Sequence, residues 1–371
     1  LKKLTHLFVR LSLICSVVFV SSAHADILVK YFELYEGRLA FNYEVKGITR
    51  IHILDFSTLE AKPLFADDLN SEHPAWSPDG TKVAYQSNRS GHYEIYTANP
   101  DGSGIVQLTK GGGDNTEPSW SPDGKWIAFQ RRTSKANSNI FVIGADGGNL
   151  TEITKSSKQN TTPRFRPGSK NILYVSADYW PGWDLLEINP ETKKIAVLTS
   201  GYNSYVEPAF SPSGGFMAYT LESGPLREIW IEQKGSPAMA VVSGTGYCGQ
   251  AEWMGEEERL FFLGDSILEV KTEAVEKQKR KPEIFLLSVR TRSAVQLTES
   301  PGKISHLSWN PTSPAKNKGF DGENYSVGTP PAIAPMPLDN TTTSEAGGAT
   351  PESKPRASLT FAPPVAQSPS K

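Results

Sequence analysis

EPSWSPDGKWIAFQ, residues 117–130, compresses a strand, a turn and a second strand into one short stretch. An aromatic residue, Trp120, closes the first run. Pro122 presets its backbone for a turn, and Asp123-Gly124 accept conformations that most residues resist, so the chain reverses into WIAFQ. NIFVIGADGG (139–148) and LTEIT (150–154) follow. All are β-branched or aromatic runs bounded by Gly, Pro, Asp and Asn, the pattern of short strands joined by tight turns.

The same order recurs along the chain. WSPDG stands at 76–80 and again at 120–124, and the aromatic that opens it has counterparts at Phe165, Phe210, Trp253 and Trp309. The spacings are 44, 45, 45, 43 and 56 residues, an internal repeat of propeller-blade length. Second strands read RLAFNY (38–43), KVAYQS (82–87), WIAFQ (126–130), ILYVS (172–176), FMAYT (216–220) and RLFFL (259–263). Third strands follow as RIHILDF, EIYTAN, NIFVIG, DLLEIN, EIWIEQ and EIFLLS, and outer strands end in PLF, VQLT, LTEIT, AVLT, AVVS and VQLT. A four-stranded sheet cannot bury both faces alone, so the expected fold is all-β: a six-bladed propeller of four-stranded antiparallel blades over residues 26–312.

The ring must close. The first blade begins clearly at its second strand, whereas ISHLSW (304–309) is left over at the far end. Entry of this strand into the first blade as its innermost strand is the favoured closure. YFELYEGRLAF (31–41) aligns with AWSPDGTKVAY (75–85) and is the rival source of that strand. The long last spacing holds ILEVKTEAVEKQKRKPE (267–283), whose charge predicts an exposed loop or short helix, with a partner-contact knob as the other reading.

The first 25 residues differ in kind. Lys2, Lys3 and Arg10 precede an apolar run from Leu11 to Val20, and Ala23-His24-Ala25 has the small-x-small form of a signal-peptidase site. The run is shorter than the roughly 20 residues of a spanning helix. A cleaved signal (1–25) and a mature periplasmic or secreted chain from Asp26 are expected. The chain's formal net charge is −2, and removal of those three cations makes it more acidic, which gives nucleic acid no footing. Cys248 is then the one cysteine left, so stability must come from burial. Residues 313–371 are rich in Pro, Ser, Thr, Gly and Ala and are expected to be a disordered tail.

WSPDG reads as a turn and not as a site, because FRPGS (165–169) and FSPSG (210–214) keep the turn residues while the aspartate disappears. HPAWSPDGTKVAYQS (73–87), TEPSWSPDGKWIAFQ (116–130) and VEPAFSPSGGFMAYT (206–220) resemble the WD40-like repeats of the TolB family. The resemblance covers roughly residues 38–312. It implies a periplasmic, propeller-based binding protein that contacts a peptidoglycan-associated lipoprotein, as TolB contacts Pal. Members of that family carry an α/β domain before the propeller and a segment that engages TolA. About a dozen residues separate Asp26 from the first blade strand here, so the resemblance does not extend to TolA contact.

The sequence has no G-x-S-x-G elbow, no H-E-x-x-H, no cysteine pair and no Walker loop. Gly111-Gly112-Gly113 falls between an outer strand and the next inner one, with no helix to complete a phosphate cradle. One constellation stands out. Three residues before each repeat aromatic are His73, Glu117, Thr162, Glu207, Gln250 and His306, which a propeller places at equivalent points at the start of its innermost strands, near the mouth of its channel. Water-lined channels are polar in any case. Imidazoles and carboxylates converging on an axis also suit a divalent cation, held by His73, His306 and Glu117, or an anionic or sugar ligand. His52 and His92 read as packing or surface residues. The expected function is non-catalytic binding of another envelope protein by a monomer without a cofactor. A metal-assisted lyase of the oligogalacturonate type, or a glycan-binding module, is the alternative.

Overall fold

In the computed structural model of the chain, residues 28–29, 37–58, 60–178, 181–244, 247–255, 259–265, 281–290 and 293–310 are described, all within the unit Leu1–Ile333. Among them each repeat forms one four-stranded antiparallel sheet; there are six such sheets and no helix. The innermost strands, in blade order, are Lys303–Trp309, Ser71–Trp76, Asp114–Trp120, Asn160–Phe165, Ser204–Phe210 and Cys248–Trp253. The expected signal (1–25), the tail (313–371) and all but the last three residues of the insertion (267–283) lie outside the described residues.

Second strands such as Val83–Ser87 and Ile172–Ser176 are buried at every position, because neighbouring blades cover both of their faces. That is why they read without the strict apolar–polar alternation of a half-exposed strand. Leu173, Val175 and Leu185 of blade four pack against Met217 and Tyr219 of blade five. Each fully buried aliphatic side chain of this kind contributes about 1.5–3 kcal/mol relative to exposure. Cys248 is free and buried, so such packing carries the fold.

Closure follows the expected route. Lys303–Trp309 pairs with Arg38–Val45, Leu39 opposite Trp309 and Glu44 opposite Lys303. Leu39, Phe41 and Leu54 of blade one then share a core with Phe261, Leu263 and Ile284 of blade six. The start of the rival strand, residues 31–36, lies outside the described residues, and the place it would take is filled. A second latch joins Leu28–Val29 to Thr298–Glu299.

The WSPDG phrase is a turn in both copies. Asp79 Oδ1 accepts from the Ser77 hydroxyl at 2.6 Å and the Thr81 N–H at 3.0 Å, while Gly80, at φ 66°, donates to Ser77 O. Asp123 repeats this with Ser121 and Lys125. Ser213 substitutes at the fourth copy, FSPSG, by accepting the Gly215 N–H at 2.9 Å. Successive turns also touch: a Cβ on Gly124 would lie 3.4 Å from Pro78 Cγ of the preceding blade.

The QLT ending has an equally local cause. Thr109, Thr154, Thr199 and Thr298 each accept, at 2.9 Å, the N–H of a third-strand residue: Ile95, Ile140, Leu185 and Ile284. The same hydroxyls donate to Glu94, Asn139, Asp184 and Glu283. In four of the six blades one threonine thus fastens the short outer strand to its sheet. Gly111 belongs to this device, its N–H donating to Glu94 at 2.6 Å. His52 is buried against Phe41 and Tyr43, and His92 is exposed.

Candidate functional site

Each inner strand breaks its ladder at one place, where two of its residues oppose one residue of the second strand. The first residue of every such bulge is one of the six singled out from the sequence. His73, Glu117, Thr162, Glu207, Gln250 and His306 all adopt left-handed backbone, with φ between 51° and 57°. The single residue opposite is always a buried aromatic: Tyr85, Phe129, Tyr174, Tyr219, Phe262 or Phe41. A bulge bends a strand and re-aims its side chains. In four blades the second bulge residue is proline, Pro74, Pro118, Pro163 or Pro208, which sacrifices no ladder bond there. These positions therefore fall within the inner strands and not at their starts, a correction to the placement expected from sequence.

The bulge leaves an N–H that the ladder does not use, and in five of the six blades the neighbouring blade supplies an acceptor. Asn42 accepts from His73 at 3.0 Å and Gln86 from Glu117 at 2.9 Å. Glu117 accepts from Thr162 at 2.6 Å, Glu207 from Gln250 at 2.9 Å, and Gln250 from His306 at 2.5 Å. Glu207 is committed further, to Thr220 at 2.8 Å and to the Arg227 guanidinium at 3.0 Å. Three of the six predicted side chains thus stitch blade to blade around the axis. Their identity is set in part by the ring itself.

All six nevertheless line one cavity of about 680 Å³ on the channel side of the inner strands. The His73 and His306 rings lie 3.5 Å apart between centroids. Burial, and then the charge on His306, hold His73 well below the usual imidazole range. Burial, followed by the Arg164 and Lys303 charges, lowers His306 to about 3. Two neutral imidazoles can stack at this distance where two cations could not. Asn42 uses its carbonyl oxygen on His73 N–H, so its amide donates to His306 Nδ1 at 3.1 Å, which assigns the His306 proton to Nε2.

Two lining residues escaped the sequence reading: Arg164 and Glu252. Both occupy the position just before the repeat aromatic, where the other blades carry Ala75, Ser119, Ala209 and Ser308. Two charges among small residues were the available signal. Glu252 accepts the Trp309 N–H at 3.1 Å, and burial pushes its carboxyl up to about 7. Burial also raises Glu117, offset by the Arg164 charge and the Thr162 hydrogen bond. Among the described residues no group of three or more His, Cys, Asp or Glu is placed to hold a metal ion. What the cavity offers instead is hydrogen bonding and one cation in a partly apolar recess.

The family model of the TolB beta propeller domain matches residues 19–256, more than half of the 371-residue chain. No curated protein matches it. Among solved structures, TolB from Acinetobacter baumannii is 17% identical over 75% of this chain and 67% of that one, with a TM-score of 0.61. A putative TolB from Agrobacterium tumefaciens is 17% identical over 73% of this chain and 91% of that one, at 0.54. An oligogalacturonate lyase in complex with manganese is 13% identical over 76% and 83%, at 0.52. At such identities the structural likeness speaks for the fold alone. With its repeat register, six blades and closing strand, the chain belongs to the TolB beta propeller family.

Proposed function

We propose that this propeller is a non-catalytic binding module of the periplasm that takes a segment of another envelope protein, a peptidoglycan-associated lipoprotein in the first instance, at its channel. The observation that carries the reading is the state of the ring. Glu117, Glu207 and Gln250 are committed to backbone N–H groups of the next blade, and Glu207 also to Arg227. Groups so engaged position a surface and are poor candidates for proton transfer or metal ligation. The lyase alternative calls for a ligating cluster that the described residues do not provide. Among the described residues no helix is long and apolar enough to cross a membrane.

Affinity capture from detergent-solubilised envelope, with the mature chain as bait, tests this. Recovery of a lipoprotein partner, lost when Glu207→Ala and Gln250→Ala open the ring, is the expected result. Recovery of no protein, together with measurable glycan binding, overturns it. Sequencing the N-terminus of exported protein checks processing after Ala25.

A further inference from the structure

Arg164 is an anomaly among the half-buried arginines of this protein. Two residues away, Arg166 clamps Glu187 through Nε at 2.8 Å and Nη2 at 3.0 Å. Arg227 holds Glu207 and Glu222, and Arg89 pairs with Asp67. Arg164 donates only to the carbonyl of its own neighbour Pro163, at 3.0 Å, and no carboxylate of the described residues lies within ion-pairing distance. A half-buried guanidinium that faces the cavity with most of its donors unused among the described residues is free to meet an acceptor there. It is also the one arginine or lysine among the described residues lining the channel cavity.

Resting on the proposed protein-binding role, we propose that the channel recognises its partner through the carboxylate of an acidic side chain on an extended peptide segment, seated bidentately on Arg164. The planar fork of arginine matches a carboxylate with two parallel hydrogen bonds. The surroundings permit the added charge. Glu207 is neutralised by Arg227, and burial favours the protonated forms of Glu252 and Glu117. His306 keeps its proton on Nε2 and can donate. The cavity lies within the roughly 300–1,000 Å³ of ordinary ligand pockets, room for a short segment and not a domain. A peptide fits the walls better than a glycan does: Pro78, Pro122, Pro167, Pro212 and Trp120 give apolar contact, whereas many of the ring's polar atoms that hydroxyls would need are already engaged.

Fluorescence anisotropy with dye-labelled, C-terminally amidated hexaglutamate and the mature protein tests the seat, beside labelled, amidated hexaglutamine and an oligogalacturonate of equal length. Expected are binding of hexaglutamate alone, at least tenfold weakening in Arg164→Gln, partial retention in Arg164→Lys, and no change in Lys170→Gln, an exposed site. An unchanged urea midpoint in Arg164→Gln shows that the loss is not unfolding. Equal binding of hexaglutamate by wild type and Arg164→Gln overturns the proposal. So does Arg164-dependent binding of oligogalacturonate in place of hexaglutamate, which gives the seat to a glycan. Envelope capture separates this proposal from the broader one. If wild type and Arg164→Gln recover the same partner equally, the seat falls and the binding role stands. If hexaglutamate binds through Arg164 while no envelope protein is recovered, the seat stands and the envelope role falls.

Discussion

Replacing Thr162 by glycine should stabilise this protein, although glycine in a strand ordinarily weakens it. Thr162 is β-branched and sits at φ 51°. An L-residue in this region costs about 1–2 kcal/mol, and glycine is free of that penalty. Glycine within a strand costs about 0.5–1 kcal/mol of backbone entropy. The bond from Thr162 N–H to Glu117 belongs to the backbone and survives the change. Net stabilisation of about 0.5–1 kcal/mol follows. The control is the preceding residue: Thr161 keeps a regular pairing with Val175, and its hydroxyl lies 3.1 Å from that of Thr162, so either variant loses the same side-chain contact. Thr161→Gly should destabilise by about 0.5–1 kcal/mol. Adjacent substitutions of the same kind thus differ by about 1–2 kcal/mol with opposite signs. Urea unfolding at equal m-values measures both. Equal losses in the two variants, or a greater loss at 162, would refute the claim that the fold imposes left-handed backbone on the ring.

Other consequences are simpler to measure. Thr298→Val keeps the shape but removes the acceptor of Ile284 N–H and the donor to Glu283, all buried; it should lower the urea stability by about 1–3 kcal/mol. Asp79→Ala should cost about 0.5–1.5 kcal/mol through its turn bonds and leave partner capture unchanged, since the aspartate serves the turn alone. For His306, lowered to about 3, the unfolded chain binds a proton below about 6.5 that the folded chain refuses, so stability falls as pH drops from there toward 3. Glu252 acts in the opposite sense: its folded carboxyl is raised to about 7, and stability is lost as pH climbs from about 4.5 toward that value. Each group differs by at most one proton between the folded and unfolded chain, which keeps each slope below about 1.4 kcal/mol per pH unit. His306→Gln should flatten the acid limb and Glu252→Gln the other, as read by denaturation across pH 4–8.

The blades were legible because their determinants are local. Proline and Asp-Gly define the turn, a buried aromatic run defines the second strand, and a threonine fastens the outer one, so the copies align by eye. Closure by residues 304–309 was legible by subtraction, since one inner strand was surplus and one blade lacked its own. The ring was half legible. Position picked out His73, Glu117, Thr162, Glu207, Gln250 and His306, yet their shared role as bulges depends on register against a partner strand, which no single segment displays. Proline in mid-strand at 74, 118, 163 and 208 was the clue, because a ladder tolerates it only where pairing is broken. Arg164 and Glu252 were missed for a related reason. Past a bulge the strict alternation of faces shifts, so counting from the aromatic does not tell which neighbour turns toward the axis.

The strand that completes blade one makes this propeller's last step a long-range one. Asn42 meets His306 across 264 positions of chain. During synthesis at about 5–20 residues per second, the edge of Arg38–Val45 therefore waits roughly 10–50 s for its partner. Throughout that interval it presents an apolar strand with unpaired backbone groups, the kind of edge that recruits other chains. Blades two to six can each form from consecutive residues, so their pairing is rapid and local. Blade one is then the kinetic bottleneck, and the segment RLAFNYEV is where a holding chaperone would do most to keep the newborn chain from aggregating.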